Sequence, residues 1–191
     1  AKTLFPYTTL FRSLPGVPAT RFAFTQVAPV VDQPKALEGM KVILHPEGRW
    51  ALRSAKTTQL LYAVLAKEVA REAGADDAWL VDNGMITEGT SANAHIIDSR
   101  GVLVSHPVDH GVLPGISRLC ILPLAREMGL VVEERAFSVE ELFAAREAFI
   151  SSATTVVMPV VEVDGRKIAD GKAGALSLQL RQRYLDRLRN A

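Results

Sequence analysis

Residues 77–89, DAWLVDNGMITEG, decide the fold class. Two apolar, strand-like runs flank Asp82-Asn83-Gly84, and an Asn-Gly pair between such runs is a strong short-range signal for a β-hairpin. The next segment, NAHIIDSRGVLVSHP at 93–107, repeats the pattern around Ser99-Arg100-Gly101. Hairpins pair antiparallel strands, so the two segments predict a mixed α/β protein rather than a doubly wound parallel sheet.

Single helices are predicted on both sides of these hairpins. The segment KTTQLLYAVLAKEVAREAG at 56–74 has helical periodicity, with Thr57 or Thr58 as its cap and Gly74 as its end. Its large apolar side chains fall on one face, which we expect to pack on the core: Leu60, Leu61, Val64, Leu65 and Val69. Upstream, MKVILHP (40–46) and RWAL (49–52) predict two strands around a turn.

The rest of the chain alternates strands and helices in the same way. The predicted elements are a helix at 115–129, interrupted or kinked near Pro123, a strand at 130–137, a short helix at 138–145 with a capping box of Ser138 and Glu141, a strand, loop and strand at 148–168, and an amphipathic helix at 174–190. This order again indicates mixed α/β architecture.

Composition narrows the function classes. The chain has 191 residues, 48% of them hydrophobic, and a net charge of +1. This fits one domain or slightly more, and the absence of a basic patch disfavours a nucleic-acid partner. No apolar run is long enough to cross a bilayer, so no membrane partner is expected. Cys120 is the one cysteine; we expect it to be buried, and it fits a reducing cytoplasm.

Lys56 is the first candidate for chemistry. It is predicted to lie between an apolar strand and the positive end of a helix, with Arg53 nearby. Both neighbours disfavour a further positive charge, which lowers the pKa of an amine and favours Schiff-base formation. Structural lysines also occur at such junctions, so position alone leaves both interpretations open.

Three further segments could act with Lys56. Glu88 ends a predicted strand beside a Gly-Thr-Ser-Ala-Asn loop, Ser117 opens a helix after Gly115, and Thr154 lies in the hydroxyl-rich run SSATTVV. Each has an ordinary explanation, as a turn acid, a helix cap or a polar loop. Together they suit pyridoxal phosphate, because the lysine would take its aldehyde, the acid its pyridine nitrogen, and the two loops its phosphate. No metal site is predicted.

Four motifs resemble the class IV, or fold type IV, aminotransferases. They are AKTTQLLYAVLAKEVA (55–70), ITEGTSANA (86–94), HPVDHGVLPGISR (106–118) and ISSATTVVMPVVEVDGRKI (150–168). The resemblance runs from about Met40 to the end of the chain, and the branch it resembles most is D-amino acid aminotransferase. It implies the large C-terminal domain of that fold, in which antiparallel-rich β-sheets form a pseudo-barrel with surrounding helices.

The resemblance also implies residue roles. Lys56 would be the catalytic residue, bonding the cofactor and moving a proton at the substrate Cα, while Glu88 would keep the pyridine nitrogen protonated and Leu113 would pack on the ring. The implied cofactor-binding residues are Lys56, Glu88, Ser91, Asn93, Leu113, Gly115, Ile116, Ser117, Ala153 and Thr154. The chain departs from the family at two places. It has Ala153 where a threonine is common, and it has Ala94 and His95 after Asn93, where an aromatic residue usually follows.

The start of the chain is predicted to be atypical. In this family a smaller N-terminal domain precedes the lysine, and only about 55 residues do so here, which suggests truncation. Residues 3–13, TLFPYTTLFRS, resemble a translated sequencing adapter, although a genuine strand is the alternative. The expected organisation is a non-native segment at 1–13, a remnant of the N-terminal domain and linker at 14–39, and a catalytic domain at 40–191. Arg21 is the candidate for binding the substrate carboxylate.

The resulting hypothesis is transamination between a D-amino acid, such as D-alanine, and a 2-oxo acid, such as 2-oxoglutarate, impaired in a truncated chain. Branched-chain L-amino acid aminotransferase and aminodeoxychorismate lyase are alternatives within the fold. A fragment that binds cofactor without turnover is the alternative from another class. The expected partners are these small molecules and, at full length, a second copy in a homodimer.

Overall fold

The computed structural model describes residues 23–25 and 29–190. The helices of this part are α1 (Lys35–Glu38), α2 (Leu61–Glu72), α3 (Ile116–Glu127), α4 (Val139–Ala144) and α5 (Ala175–Arg189). The strands are β1 (Met40–Pro46), β2 (Asp77–Asp82), β3 (Met85–Gly89), β4 (Asn93–Ile97), β5 (Leu103–Ser105), β6 (Val132–Glu134), β7 (Phe137–Ser138), β8 (Glu147–Ser152), β9 (Val156–Val163) and β10 (Arg166–Lys167). The predicted segment at 1–13 and Arg21 lie outside the described residues.

Six strands close into a barrel. Their order around the ring is β1-β2-β3-β4-β8-β9, and β9 pairs again with β1. Strand β1 runs parallel to β2 and β9, whereas the other pairs of the ring are antiparallel. Strands β3 and β4 close the barrel, and the residues paired between them are Glu88 and Asn93. The predicted mixed α/β, antiparallel-rich pseudo-barrel is therefore confirmed.

Alternating strand residues supply the core. One buried cluster takes Ile86 from β3, Ala94 and Ile96 from β4, and Ile150 from β8. Neighbouring strand positions point the other way, and Ile97 and Phe149 join a second cluster with residues of α3 and α5. Successive side chains of a strand alternate between its faces, so the same strands support both layers.

Helix α2 packs through a different face from the one predicted. Its buried residues are Ala63, Ala66 and Ala70, and the last two pack against β2. The large apolar residues that were expected in the core are exposed: Leu60, Leu61, Val64, Leu65 and Val69. Alanines spaced three and four residues apart form a smooth stripe, which lets the helix lie close to the barrel.

Several turns and the cap of α4 were predicted correctly. Asn83 and Gly84 have φ angles of 50° and 80°, the left-handed conformations that the hairpin turn between β2 and β3 requires. Ser138 and Glu141 form the predicted capping box at α4. Gly74 follows α2 with a φ of 74°. These features succeed because each depends on a few neighbouring residues.

Other details of the prediction were wrong. Residues 49–52 form no strand, since Arg49 turns inward to two carboxylates, and α2 begins at Leu61 without a side-chain cap. The predicted strand at 130–137 divides into β6 and β7, which pair with β5 and β3 respectively. Helix α3 continues through Pro123, so it is not interrupted there. Cys120 is exposed because α3 turns its neighbours Ile121 and Leu122 toward the core instead.

Candidate functional site

Glu88 is the centre of a buried polar cluster. It lies near the end of β3 at the pair that closes the barrel, and its exposure is 3%. Three groups donate hydrogen bonds to its carboxylate: Arg49 Nη1 at 2.6 Å, Asn93 Nδ2 at 2.9 Å, and the Leu113 backbone N–H at 3.2 and 3.3 Å to the two oxygens. The carboxylate is thus fixed in position by three chain segments.

Arg49 connects Glu88 to a second buried acid. Its Nη2 donates to Glu47 at 2.6 Å and its Nε to the same carboxylate at 3.0 Å, while Thr87 Oγ1 donates to Glu47 at 2.9 Å. Arg53 Nε lies 3.7 Å from the same acid. Two carboxylates and two guanidinium groups therefore meet below the segment that leads to Lys56.

Burial and charge in this cluster act on the pKa values of both acids. Burial raises the pKa of Glu88, and the charge and hydrogen bond of Arg49 oppose that shift. Burial also acts to raise the pKa of Glu47, but the hydrogen bonds and charge of Arg49 outweigh it, and the pKa lies below its ordinary value. Every hydrogen bond described above reaches Glu88 from a donor, which is the arrangement that suits an ionised carboxylate.

Sequence reasoning missed Glu47 and Arg49. Both follow β1 in a segment that reads as a turn and a strand, and no local pattern indicates that either side chain points inward. The one available signal was two opposite charges in a short stretch directly after a buried strand. Their contacts with Thr87 and Glu88 span about forty residues and belong to the tertiary fold.

Asn93 links Glu88 to the loop before α3. Its Nδ2 donates to Glu88 and also, at 2.8 Å, to the backbone oxygen of Leu113. A Cβ at Gly115 would overlap Asn93 Oδ1, although the φ of Gly115 is an ordinary −65°. Glycine is therefore needed here for close approach, and Glu88, Asn93, Leu113 and Gly115 form one packed unit.

Helix α3 presents an uncapped N-terminus beside this unit. Gly115 is its N-cap residue, no side chain hydrogen-bonds to the cap, and Ile116 and Ser117 form the first turn. Ser117 is buried, and its hydroxyl interacts with the phenol of Tyr184 from α5. Free N–H groups at a helix start attract anions, and the phosphate seat at Ile116 and Ser117 stays a prediction.

The second predicted phosphate loop joins β8 to β9. Ala153 and Thr154 are exposed there. Ser152 Oγ accepts hydrogen bonds from the backbone N–H groups of Thr154 at 3.3 Å and Thr155 at 3.1 Å. Ser152 was not singled out from the sequence, although it belongs to the hydroxyl-rich run that was.

Lys56 lies in the irregular segment between β1 and α2, and it is exposed. The segment contacts the loop that carries Leu113, because the Arg53 N–H donates to the His110 oxygen at 3.1 Å and Arg53 Nη1 lies 3.5 Å from the Gly111 oxygen. Lys56 and the exposed Ser91 stand outside the hydrogen-bonded cluster of Glu88. Four residues separate Lys56 from α2, so it does not directly precede the helix as predicted.

Residues 23–25 and 29–190 contain neither a membrane-spanning helix nor a metal-binding cluster. In this part of the chain, no helix combines the length and apolar character that a membrane crossing demands. Over the same residues, no three His, Cys, Asp or Glu side chains are grouped so that they could hold a metal ion.

Comparisons with known proteins match this chain to one family. A family model described as amino-transferase class IV matches residues 15–163. D-alanine aminotransferase of Bacillus licheniformis is 40% identical over 139 residues, which are 73% of this chain and 49% of that protein. A putative branched-chain-amino-acid aminotransferase of Methanocaldococcus jannaschii is 37% identical over 132 residues, 69% of this chain and 46% of that protein.

Solved structures give the same result. The branched-chain amino acid aminotransferase from Thermobaculum terrenum, in its PLP-form, matches with a TM-score of 0.73 and 26% identity, over 83% of this chain and 53% of that one. The branched-chain amino acid aminotransferase from Escherichia coli matches with a TM-score of 0.71 and 30% identity, over 78% and 52%. The chain spans about half the length of the curated relatives it matches. On these matches and the closed barrel around Glu88, the chain belongs to the class IV aminotransferase family.

Proposed function

We propose that this chain carries the cofactor-binding half of a pyridoxal phosphate-dependent aminotransferase that acts on a D-amino acid, such as D-alanine, and a 2-oxo acid, such as 2-oxoglutarate. The observation that carries the proposal is the buried Glu88 carboxylate, held by Arg49, Asn93 and the Leu113 N–H. The D-amino acid branch is supported by the relatives named D-alanine aminotransferase, at 36–40% identity for the first three.

The residues present fit pyridoxal phosphate. Three donor groups face the Glu88 carboxylate, and a protonated ring nitrogen would be a further donor of the kind that an ionised carboxylate accepts. The uncapped start of α3 and the hydroxyl-rich loop at Thr154 suit a phosphate. Lys56 offers an exposed amine on the segment that contacts the Leu113 loop. When bound, the cofactor supplies an aldehyde that bonds amines and a ring that accepts an electron pair.

Each residue then has a distinct task. Lys56 Nζ would hold the cofactor and would move a proton to and from the substrate Cα. Glu88 would keep the ring nitrogen protonated, and Leu113 would pack on the ring. Ile116 and Ser117 would bind the phosphate through N–H groups and a hydroxyl, whereas Ala153 would offer only its backbone beside Thr154. Arg21 remains the proposed contact for the substrate carboxylate.

Covalent labelling tests the proposal. The chain is mixed with pyridoxal phosphate and reduced with borohydride, and the labelled peptide is mapped. We expect the label on Lys56 and its loss in Lys56→Arg, because this lysine lies on the segment next to the Leu113 loop. Matched controls are Lys67→Arg and Lys172→Arg, which should leave the label in place. Label on Lys67 or Lys172 in the unmodified chain contradicts the assignment.

One alternative substrate class, the branched-chain amino acids, also has support. The two solved structures described above are branched-chain amino acid aminotransferases, and one curated relative carries that description as a putative function. The discriminating assay offers D-alanine and L-leucine separately, each with 2-oxoglutarate. Faster turnover of L-leucine contradicts the D-amino acid assignment. Cofactor absorbance with no transamination of any amino acid would instead indicate a cofactor-binding fragment.

We also propose that the full-length protein is a homodimer in which α2 lies at the contact. Leu61, Val64 and Leu65 are 71%, 59% and 55% exposed on one helix face. A contiguous apolar face that is exposed to water usually marks a protein–protein interaction site. Sedimentation of the full-length protein and of its Leu61→Lys, Leu65→Lys double variant tests this, and the variant should sediment as a monomer. A purely monomeric unmodified protein at high concentration contradicts the proposal.

A further inference from the structure

Arg181 is a buried cation beneath the β8–β9 loop. It lies in α5 with an exposure of 5%. Its Nη1 donates hydrogen bonds to the backbone oxygens of Thr155 and Val157, at 2.5 and 2.9 Å, and its Nη2 to those of Val30 and Val31, at 2.9 and 3.2 Å. The guanidinium therefore fastens two chain segments, one of which is the loop that carries Ala153 and Thr154.

Among the described residues, no carboxylate forms an ion pair with Arg181. Its four hydrogen bonds all go to backbone oxygens, and the ion pairs found among residues 23–25 and 29–190 do not include it. Arg49 and Arg118, two other arginines with little exposure, each contact a glutamate. Buried charges are usually paired, and arginine stays protonated in proteins, so this positive charge acts on its surroundings.

The hydrogen bonds of Arg181 also enclose a strained residue. Val156 has a φ of 61°, a left-handed conformation that is unfavourable for a β-branched side chain. The two oxygens that Nη1 holds belong to the residues on either side of it. A strained backbone persists only where its surroundings hold it, and such strain is concentrated at binding sites. Gln33 holds the loop from another side, since its Nε2 donates to the Thr154 oxygen at 3.0 Å.

We propose that Arg181 is a positioning residue for the phosphate of the cofactor. It holds the backbone oxygens of Thr155 and Val157, directly after Ala153 and Thr154, and its unbalanced charge makes that loop favourable for a dianion. This inference rests on the proposed function, because it takes the loop as a phosphate contact. Arg181 itself touches only backbone oxygens of the chain and so acts through the loop.

The test compares two ligands that differ only in the phosphate. Affinities of the chain for pyridoxal phosphate and for pyridoxal are measured by absorbance titration, for the unmodified protein, Arg181→Gln and Arg181→Lys. Arg183→Gln is the matched control, since Arg183 lies two residues further along the same helix and is exposed. The quantity of interest is the ratio of the two affinities, which cancels any loss of affinity common to both ligands.

We expect Arg181→Gln to lower the affinity for pyridoxal phosphate by about tenfold, the lower end of what a lost charge-assisted contact produces. The affinity for pyridoxal should change little, and Arg183→Gln should leave the ratio unaltered. Arg181→Lys keeps the charge but not the planar fork of donors, so its affinity ratio should lie between those of the unmodified protein and Arg181→Gln. Inorganic phosphate should compete with pyridoxal phosphate less well in both Arg181 variants.

The outcomes separate the two proposals. An unmodified protein that binds pyridoxal phosphate no better than pyridoxal overturns the phosphate assignment and with it the proposed function. A clear preference for the phosphate that survives in Arg181→Gln, or an equal fall for both ligands, overturns the role of Arg181 alone. Should Arg181→Gln fail to fold, Arg181→Lys carries the comparison, and a ratio equal to that of the unmodified protein overturns the loop-fixing role.

Discussion

His95 should make the protein sensitive to mild acid. It lies in β4 with no exposure, stacks on Phe149 with ring centroids 4.8 Å apart, and has its Nε2 2.9 Å from Ser151 Oγ. Its Nδ1 is buried without a hydrogen-bond partner in the described part of the chain. Burial, and then the charge of Arg118, lowers the pKa of the imidazole from 6.5 to about 3.

The sign and size of the effect follow from proton linkage. Between pH 6.5 and about 3 the unfolded chain binds a proton at His95 that the folded protein does not. The free energy of unfolding therefore rises with pH in this window, and the contribution of His95 is fully present above pH 6.5. Lowering the pH from about 7.5 to about 5 should cost about 2 kcal/mol, at 1.36 kcal/mol for each pH unit below the unfolded pKa. This number requires only that the folded pKa lies well below 5.

The assay is urea unfolding of the unmodified protein and of His95→Phe at the two pH values. Phenylalanine keeps a ring against Phe149 and removes the titrating group, so the variant should lose about 2 kcal/mol less on acidification. Groups that titrate in both proteins cancel in this difference. His110→Gln, at an exposed position, is the control and should behave like the unmodified protein. An equal pH dependence in His95→Phe and the unmodified protein would refute the reasoning.

Three further substitutions test the structure through the free energy of unfolding. Arg49→Met should lower it by about 3–5 kcal/mol, because Glu88 would remain buried without its ion pair; a change under about 1 kcal/mol in chemical denaturation contradicts the buried cluster. Gly115→Ala should cost about 1–3 kcal/mol through overlap with Asn93, and a neutral result would show that the loop can move aside. Ser138→Ala should lower the free energy of unfolding by about 1 kcal/mol because it removes the capping box. An unchanged free energy would show that the box does not form in solution.

Local chemistry explains what could be predicted from the sequence. The turn at Asn83 and Gly84 requires left-handed backbone conformations that few other residues adopt, and the Ser138 capping box involves four consecutive residues. The order of hairpins and helices then limits the architecture to the mixed class. Glu88 and Gly115 were singled out from their positions in the sequence and Asn93 from a family resemblance, and in the structure Asn93 contacts both of the others.

The failures come from information that the local sequence does not contain. Helix α2 has two stripes of helical period, one of leucine and valine and one of alanine, and periodicity cannot decide which of them packs on the barrel. The decision depends on the shape of the surface it meets, where Ala78 and Leu80 allow a close approach. Arg49 and Arg181 went unnoticed for a related reason, since Arg49 reaches Glu88 across 39 residues and Arg181 bonds to backbone oxygens that no motif marks.

The position of Glu88 decides which variants can report on chemistry. Glu88 and Asn93 form the pair that closes the barrel between β3 and β4, and their side chains also bond to each other. A lost activity in an Asn93 variant would therefore mix damage to the barrel with damage to the site. Lys56 and Thr154 are exposed, and substitutions at exposed positions usually change stability by at most about 0.5 kcal/mol. Lys56→Met and Thr154→Val should thus leave the free energy of unfolding in urea nearly unchanged. Any loss of cofactor binding in these variants would then reflect the site itself. A large loss of stability in either variant would show that the site and the barrel cannot be separated at these positions.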